Sequence, residues 1–474
     1  MDLLRFRVED VRFSERNVTL RLPFRFGAAT VRSCPEVFVR ARIRFADGST
    51  SEGYSAEMMI PKWFDKNPTL SNEENFQQLR DALLMARKAY LGDAAPRTAW
   101  QYFAHHYQAL LDAAGQAGLN PLVASYGPAL LDRAIFDALC LKLNCSFAAG
   151  MNANVAGIDV ARSGLVDDLA DFDMVRFLSL QMPRVQIAAR HTVGLADAIH
   201  NASQPADAPA DGLPASLEEV IARYRHRHFK LKLCGDTEAD LARLEAINSV
   251  TQPHALLITL DGNEQYADAE SFADFFSRLT SHRSLAPLVA KTVFVEQPIR
   301  RDQALSQDVS FLAKRIPLLV DESDATLDAF VQARALGYTG VSSKSCKGFY
   351  KSVINAARCA HWNSLGHVHY FLSGEDLTMQ AGIGLQQDLA LVGWLGLSHV
   401  ERNGHHYVNG LKAASETEQR ELLLAYASLY ERSFDAVRLR IRGGQIALDA
   451  LQCPGFGTGQ PGAHISWDAM ASVY

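Results

Sequence analysis

The fold is decided by residues 255–321, which contain three short apolar runs that each end in an acidic residue. Residues 255–261 read ALLITLD, residues 292–296 read TVFVE, and residues 317–321 read PLLVD. Each run has the length and apolar content of a buried strand, and a helix-length stretch separates it from the next run. Strands that alternate with helices in this way predict parallel βα units.

The same alternation extends outward in both directions, from about residue 184 to residue 400. The runs predicted to be strands are Val185–Ala189, Phe229–Leu233, Ala255–Leu260, Thr292–Val295, Pro317–Val320, Gly340–Ser343, His367–Leu372 and Leu397–Val400. Eight parallel βα units can close into a (β/α)₈ barrel of the TIM type. We therefore predict an α/β protein whose barrel occupies residues 181–410.

The segments on either side of the predicted barrel have a different pattern. Residues 1 to about 60 alternate apolar and polar positions in short bursts, which predicts an antiparallel sheet, and residues 73–147 repeat apolar positions at helical spacing. We predict an α+β capping domain over residues 1–180. The C-terminal segment 411–474 is expected to return to this domain and to contain a hairpin over Ala436–Leu448.

Composition limits the classes of function. The 474 residues include 48% hydrophobic and 21% charged residues, which is typical of a globular protein with a large core. A net charge of −6 argues against a nucleic-acid-binding protein, and the seven cysteines, an odd number, favour reduced thiols. No apolar run reaches the roughly 20 residues of a membrane helix. We expect a cytoplasmic protein that binds neither nucleic acid nor membranes.

Ionisable residues follow the predicted strands at the barrel edge where catalytic residues of such folds lie. Strands three, four and five are followed by Asp261, Glu296 and Asp321. Three carboxylates at one edge repel one another, and a divalent cation removes this conflict. Because all of these ligands offer oxygen, the cation that fits best is Mg²⁺. The sequence therefore predicts a magnesium site.

Lysines end the strands that flank the three acids. Lys232 ends strand two and Lys344 ends strand six, which lie across an eight-stranded barrel from each other, and Lys230 faces the same way as Lys232. Lys230 and a bound cation would favour the neutral amine that a base requires. We predict abstraction of a proton from the carbon beside a carboxylate. The alternative, lysines that only pair with acids, is favoured for Lys347 and Lys351.

These residues resemble the motifs of the enolase superfamily, in particular its muconate lactonizing enzyme and mandelate racemase-like proteins. The matching segments are Lys230-x-Lys232, Asp261-x-Asn263, Glu296-Gln297-Pro298, Asp321-Glu322-Ser323, Lys344 and Pro454-Gly455-Phe456-Gly457. The resemblance implies that Asp261, Glu296 and Asp321 bind Mg²⁺ and that Lys232 and Lys344 are acid/base catalysts. It also implies that Lys230 contacts the substrate carboxylate.

Further residues are predicted to bind the substrate because they lie near strand ends or on cap segments that could close over the site. They are Asn263, Glu375, Asp376, Phe26 and Trp63, of which the two acids could instead orient a catalytic lysine. Residues 399–403 read HVERN and lack the Asp-x-Asp motif of dipeptide epimerases, so that activity is disfavoured. His405 and His406 follow, and we interpret them as part of a surface loop or of the barrel mouth.

The predicted reaction is Mg²⁺-dependent abstraction of the α-proton of a small carboxylate through an enediolate. It would give racemisation, epimerisation or cycloisomerisation, and the protein would be an isomerase that forms homo-oligomers. Dehydration of a hydroxy acid, a lyase reaction, is the alternative. Two other classes stay open: a catalytically silent barrel, and a metal hydrolase whose activity would not depend on Lys344.

Overall fold

A closed barrel and an antiparallel sheet dominate the computed structural model, which describes residues 3–27, 29–459 and 465–472. The elements before the barrel are β1 (Phe6–Phe26), β2 (Ala29–Phe45), β3 (Thr50–Met58), α1 (Asn72–Gly92), α2 (Ala99–Gln116), α3 (Pro121–Lys142), α4 (Phe147–Asn152) and α5 (Met174–Ser179). Strands β1, β2 and β3 pair in that order, all antiparallel. Helix α3 packs on β3 and on α1, so it lies at the centre of the cap.

Sequence signals at the helix ends explain where the cap helices begin. Ser71 accepts a hydrogen bond from the main-chain nitrogen of Glu74, whose side chain in turn bonds to Ser71. Thr98 and Gln101 form the same reciprocal arrangement at the start of α2. Such capping boxes satisfy main-chain donors that have no partner within the helix.

The barrel contains eight parallel strands. Its elements are β4 (Gln186–Val193), α6 (Leu217–Tyr224), β5 (His228–Lys232), α7 (Thr237–Thr251), β6 (Leu257–Asp261), α8 (Ala269–Ser281), α9 (Ala286–Val289), β7 (Thr292–Glu296), α10 (Arg301–Ala304), α11 (Ser310–Ala313), β8 (Leu318–Val320), α12 (Ala329–Ala335), β9 (Gly340–Ser343), α13 (Phe349–Leu365), β10 (Phe371–Gly374), α14 (Ile383–Trp394), β11 (His399–Glu401) and α15 (Gly404–Tyr407). Strand β11 pairs in parallel with β4, which closes the barrel. The predicted fold class, a (β/α)₈ barrel with an α+β cap, is confirmed.

The C-terminal segment contacts both the barrel and the cap sheet. Its elements are α16 (Glu416–Ala425), β12 (Tyr430–Ser433), β13 (Ala436–Leu439), β14 (Gln445–Ala447) and β15 (Ala471–Ser472). Strand β15 pairs with β1, whereas β14 pairs antiparallel with residues 186–188 of β4. Residues 1–2, 28, 460–464 and 473–474 of the predicted domains lie outside the described residues, and the domain boundaries at 180 and 410 stay a prediction.

The predicted hairpin over Ala436–Leu448 is wrong in its pairing. Arg442 and Gln445 exchange main-chain hydrogen bonds around the expected turn, but β13 pairs with β12 and β14 pairs with β4. The physical reason is that β5 pairs with β4 only from Arg190 onward, so the first residues of β4 have free main-chain groups on that side. Strand β14 satisfies them.

One continuous apolar cluster joins the cap to the barrel. It includes Phe13 and Ile43 of the cap sheet, Leu131 of α3, and Leu389 and Val400 of the barrel. Because this core is shared, the cap is held against the end of the barrel and does not depend on a flexible linker. None of the helices in the described ranges has both the length and the apolar composition needed to cross a bilayer.

Candidate active site

The acids and lysines predicted from the strand ends lie at one end of the barrel. Lys232, Asp261 and Glu296 are direct neighbours in the register of β5, β6 and β7. Asp321 follows β8 directly, and Lys344 follows β9. All five side chains are buried. The sequence therefore brings to one rim residues that are up to 112 positions apart in the chain, since 344 − 232 = 112.

Lys230 lies at the centre of four carboxylates. Its Nζ is 2.9 Å from Asp261 Oδ2, 2.8 Å from Glu296 Oε2, 2.8 Å from Glu375 Oε2 and 3.1 Å from Glu401 Oε2. Burial alone would lower the pKa of Lys230, but these carboxylates outweigh burial and hold its pKa well above the ordinary value. Lys230 therefore stays charged and acts as a counter-ion.

Lys232 is held by one acid and one amide. Its Nζ donates to Asp261 Oδ2 at 2.5 Å and to Asn263 Oδ1 at 2.6 Å. The amide nitrogen of Asn263 donates to Glu322 Oε1 at 3.1 Å, so its oxygen is turned toward Lys232. Asn263 has a φ of 40°, in the left-handed region that asparagine tolerates better than most residues. These contacts fix the direction in which Lys232 points.

Lys344 approaches from the opposite side of the barrel. Its Nζ donates to Asp321 Oδ2 at 2.6 Å and lies 4.2 Å from the ring centre of Trp63. Burial alone would lower the pKa of Lys344, yet the charge of Asp321 raises it. Nearby, Lys347 and Lys351 both contact Asp324, at 2.9 Å and 3.2 Å. These two contacts agree with the interpretation that Lys347 and Lys351 only pair with acids.

In the structure, each of the three predicted metal ligands is paired with a lysine. Lys230 Nζ lies between Asp261 and Glu296, where it occupies the position of a cation between two carboxylates. The pKa of Glu296 is raised well above its usual value by burial and by the charges of Asp261 and Glu375. In addition, Glu322 Oε2 is buried and accepts no hydrogen bond from a described residue. Crowded carboxylate oxygens of this kind fit a hard divalent cation.

The acids do not, however, form a closed ligand cluster among themselves. Among the described residues, two groups of three potential ligands have their ligand atoms within 4.8 Å of one another, and both contain histidines. The separate ion pairs explain this, because Asp321 bonds to Lys344 while Asp261 bonds to Lys230 and Lys232. The assignment of Asp261, Glu296 and Asp321 as ligands stays a prediction that the donor chemistry supports.

A small cavity lies above this rim, under the cap. It is lined by Phe24, Phe26, Ile60, Trp63, Lys230, Lys232, Asn263, Lys344, Asp376, Leu377, Thr378, Glu401 and Asn403. All three lysines reach the cavity, as do Phe26, Trp63, Asn263 and Asp376 of the predicted substrate-binding set. Their contacts with a substrate stay predictions.

Glu375 does not line the cavity, although it is predicted to bind the substrate. Its carboxylate is paired with the buried guanidinium of Arg190 and accepts from Ser373 Oγ and Lys230 Nζ. Burial would raise the pKa of Glu375, but Arg190 and Lys230 lower it below its usual range. Glu375 therefore fits the second role considered for it, orientation of a lysine. Asp376 lines the cavity, but its oxygens bond to Arg402 and to the main-chain nitrogen atoms of residues 403 and 404.

Two residues at the site were missed by the sequence reasoning. Glu401 contacts Lys230 and lines the cavity. It directly follows an apolar strand, so the rule that identified Asp261 would have found it. Arg190 lies within β4, which continues to Val193, whereas the predicted strand ends at Ala189, so the sequence did not show that Arg190 belongs to the strand and faces the barrel interior.

The comparison with protein families identifies the class of the chain. The family model described as enolase C-terminal domain-like matches residues 212–459, which is more than half of the sequence. The chain therefore belongs to this family. The resemblance to the enolase superfamily, of the mandelate racemase and muconate lactonizing enzyme type, is confirmed. No curated protein sequence matches the chain.

Solved structures share the fold at low sequence identity. A 2-chloromuconate cycloisomerase from Rhodococcus opacus 1CP is 16% identical with a TM-score of 0.58, covering 95% of this chain and 96% of that one. A muconate lactonizing enzyme from Mucobacterium Smegmatis complexed with muconolactone is 17% identical with a TM-score of 0.59, at 95% and 96% coverage. An enolase from Bradyrhizobium complexed with magnesium and mandelic acid is 15% identical with a TM-score of 0.57, covering 96% of both chains. Family membership supports an enzyme of the isomerase or lyase class.

Proposed function

We propose that the protein removes the α-proton of a small carboxylate substrate with the help of Mg²⁺, either in a racemisation or epimerisation that returns a proton to the same carbon or in a cycloisomerisation. The observation that carries this proposal is the placement of Lys232 and Lys344. Both amines line one cavity. Lys232 ends β5 and Lys344 follows β9, and these two strands are four places apart in a closed eight-stranded barrel. A carbon atom bound between them would have one amine on each face.

Asp261, Glu296 and Asp321 are the residues that would hold Mg²⁺. When bound, Mg²⁺ acts as a Lewis acid that stabilises the negative charge developing on the substrate carboxylate. Lys230 adds a fixed positive charge at the same rim, and Glu375 and Glu401 hold it in place. Positive charge that is already in position when the proton leaves lowers the barrier without reorganisation.

The two catalytic lysines would exchange roles between the forward and reverse reactions. In a racemisation or epimerisation, one amine takes the α-proton on Nζ, and the other ammonium group donates a proton to the opposite face, so the protein's total proton count is unchanged. Asn263 keeps the amine of Lys232 turned toward the cavity, and Trp63 contacts that of Lys344. General acid–base catalysis by positioned groups contributes about 10²–10⁴-fold to a rate.

The cap excludes water from this chemistry. Phe24 and Phe26 from β1, together with Ile60 and Trp63 from the segment after β3, form the apolar side of the cavity. Removal of water strengthens every charge interaction at the rim, because the local dielectric constant falls. The same apolar surface would contact the part of the substrate remote from its carboxylate.

The test is solvent deuterium uptake by a library of carboxylates with Mg²⁺ present. We expect the wild-type protein to place deuterium on the α-carbon of at least one compound. Lys232→Ala and Lys344→Ala should each reduce racemisation by about 10²-fold or more. Each variant should retain exchange on the one stereoisomer whose proton faces the remaining lysine.

Lys412→Ala is the matched control, because Lys412 lies on the surface in a pair with Asp435. The products also separate the reactions. Labelled substrate and its stereoisomer identify a racemase or epimerase, a labelled lactone identifies a cycloisomerase, and an unsaturated or 2-keto product identifies the dehydratase alternative. Turnover that survives substitution of both Lys232 and Lys344 would contradict the proposal and favour a hydrolase or another mechanism.

A further inference from the structure

Three histidines from distant parts of the chain meet behind the barrel wall. His191 lies on β4, His226 lies between α6 and β5, and His405 lies on α15. Their ring centres are 5.2, 5.3 and 5.6 Å apart in pairs, and one ring nitrogen of each lies within 4.8 Å of one from each of the others. The interpretation of His405 as part of a surface loop or of the barrel mouth is wrong, because it packs inside this group.

The group is separate from the cavity with the lysines. Arg190 and Thr192, the neighbours of His191 in β4, point into the barrel, where they contact Glu375 and Glu401. Side chains alternate along a strand, so His191 points to the outer face of the barrel. The ring of Tyr224 covers the group, at 5.3 Å from His405 and 5.8 Å from His226.

Hydrogen bonds prepare two of the rings to bind a cation. His226 Nδ1 lies 3.1 Å from the carbonyl oxygen of Ala189, and His405 Nδ1 lies 2.5 Å from that of Arg402. A carbonyl oxygen can only accept, so both Nδ1 atoms carry the proton and both Nε2 atoms have a free lone pair in the neutral ring. Metal-binding histidines in proteins are usually fixed by such a bond on their other nitrogen.

The free nitrogen atoms have no partner among the described residues. His191 Nδ1, His226 Nε2 and His405 Nε2 are all buried and form no hydrogen bond. A buried polar atom without a partner destabilises a protein by about 1–3 kcal/mol, so three in one place are unexpected unless something binds there. Burial also lowers the pKa of all three rings, to about 4 for His226. The rings are therefore neutral, the state in which imidazole binds a metal.

We propose that His191, His226 and His405 form a second metal site, which binds a late first-row divalent cation such as Zn²⁺. An all-imidazole group favours Zn²⁺, Co²⁺, Ni²⁺ or Cu²⁺ over Mg²⁺, which prefers oxygen ligands. Zn–N bonds of about 2.0–2.1 Å require the ring nitrogens to move together by roughly 1 Å, which side-chain rotation allows. Three protein ligands leave a fourth position for water.

The position of the site indicates a structural role. His191 belongs to the first barrel strand and His405 follows the last, so the cation would tie together the two strands that close the barrel. Helix α15 also carries Tyr407, whose ring lies 4.3 Å from that of Phe24, a residue of the cavity wall. The cation would therefore stabilise the barrel seam and the strand that covers the substrate cavity.

The experiment measures bound zinc in the full-length protein. Chelator-treated protein is dialysed against a large volume of buffer with a low, fixed free Zn²⁺ concentration and excess Mg²⁺, and bound zinc is counted for the wild type, His226→Gln, His405→Gln and His106→Gln. The last variant is the control, because His106 belongs to the second group of potential ligands, with Asp93 and His105 near the surface. We expect the two cluster variants to bind one equivalent less than the wild type and the control to bind the same amount.

Zinc bound at the carboxylates would be equal in all four proteins, so it does not affect the comparison. Equal zinc content in the wild type and the cluster variants would overturn the proposal, as would loss of the equivalent in His106→Gln alone. If a cluster variant fails to fold, anomalous diffraction at the zinc edge from wild-type crystals decides the question. A peak among the three rings supports the site, and a map without one there overturns the proposal.

Discussion

Lys344 is positioned in the cavity by the aromatic ring of Trp63 as well as by its ion pair with Asp321. The ring centre of Trp63 lies 4.2 Å from its Nζ, a distance at which a cation–π interaction contributes about 1–2 kcal/mol in a site shielded from water. We therefore expect Trp63→Ala to lower kcat/KM by about 5- to 30-fold. Trp63→Phe retains a ring face and should lose less.

The measurement is steady-state kinetics on the substrate found by deuterium uptake, with circular dichroism to show that both variants are folded. An unchanged kcat/KM in Trp63→Ala would show that Asp321 alone positions Lys344. A loss of the same size in Trp63→Phe would show that the indole binds the substrate and that its contact with the ammonium group is secondary.

Asp132 gives a prediction about pH that does not involve the active site. It is buried in α3, accepts a hydrogen bond from Tyr90 at 2.7 Å, and has its pKa raised by burial to about 8. Between the unfolded pKa near 4 and about 8, the folded protein therefore holds a proton that the unfolded chain has released. The free energy of unfolding falls by about 1.4 kcal/mol per pH unit over this range on account of this residue.

Asp132→Asn keeps the hydrogen-bond acceptor and does not titrate. The free energy of unfolding of the variant, minus that of the wild type, should therefore increase by about 3 kcal/mol between pH 5 and pH 7. Urea unfolding at pH 5, 6 and 7 measures this difference, with Asp112→Asn on the exposed face of α2 as the control. A constant difference between Asp132→Asn and the wild type would show that Asp132 is ionised in the folded protein.

At the scale of single residues, sequence reasoning works where position in a strand determines position in space. Asp261 and Lys344 could be predicted because each is placed at the end of a predicted strand, and all parallel strand ends meet at one rim. Arg190 and His191 could not, because two adjacent polar residues in a strand point to opposite faces and neither face is evident from the sequence. Each has a partner about 185 to 215 positions away, since 375 − 190 = 185 and 405 − 191 = 214.

At the scale of elements, the contact between α1 and α3 depends on the absence of a side chain. A Cβ atom added at Gly127 in α3 would lie 2.1 Å from the carbonyl oxygen of Ala82 in α1. Gly127→Ala must therefore push the two helices apart, and overpacking of this kind destabilises by about 1–3 kcal/mol. Thermal unfolding measures the change.

Gly115→Ala is the control for that variant. Gly115 is also a helical glycine of the cap, but it is exposed and a Cβ there meets nothing within 4 Å. Alanine at that position should raise stability by up to about 1 kcal/mol, because alanine is the better helix former. Equal and small effects in both variants would show that the helices can separate at little cost, and the close approach would then have no energetic role.

Element boundaries show what local patterns leave open. All eight barrel strands form where the apolar runs predict them, but β10 begins at Phe371, whereas His367 was predicted to start it. Strand β1 extends over Phe6–Phe26 because β2 pairs with it almost throughout, a length that the short alternating bursts in residues 1–60 do not indicate. Pairing between distant segments sets strand length, and a short sequence window contains no information about the partner.

At the scale of the whole molecule, the charges of the rim are balanced by the protein's own lysines. Lys230 and Lys232 pair with Asp261, Lys230 also pairs with Glu296, and Lys344 pairs with Asp321. Breaking a buried ion pair destabilises a protein by about 3–5 kcal/mol, so a rim of unpaired acids would be unstable. Here every predicted ligand already has a cationic partner, which means that the fold does not require Mg²⁺.

We therefore expect chelator-treated protein to stay folded and to lose its activity, and added Mg²⁺ to restore the activity. Mg²⁺ should also raise the melting temperature in proportion to the logarithm of its concentration, since a ligand at 100 times its Kd adds about 2.7 kcal/mol. Glu296→Gln removes one of the predicted ligands and should abolish this shift, whereas the exposed Glu416→Gln should keep it. Differential scanning calorimetry with and without Mg²⁺ measures both variants. A wild-type protein that unfolds at room temperature once chelator is added would contradict this account. It would show that the lysine ammonium groups do not neutralise the acids of the rim.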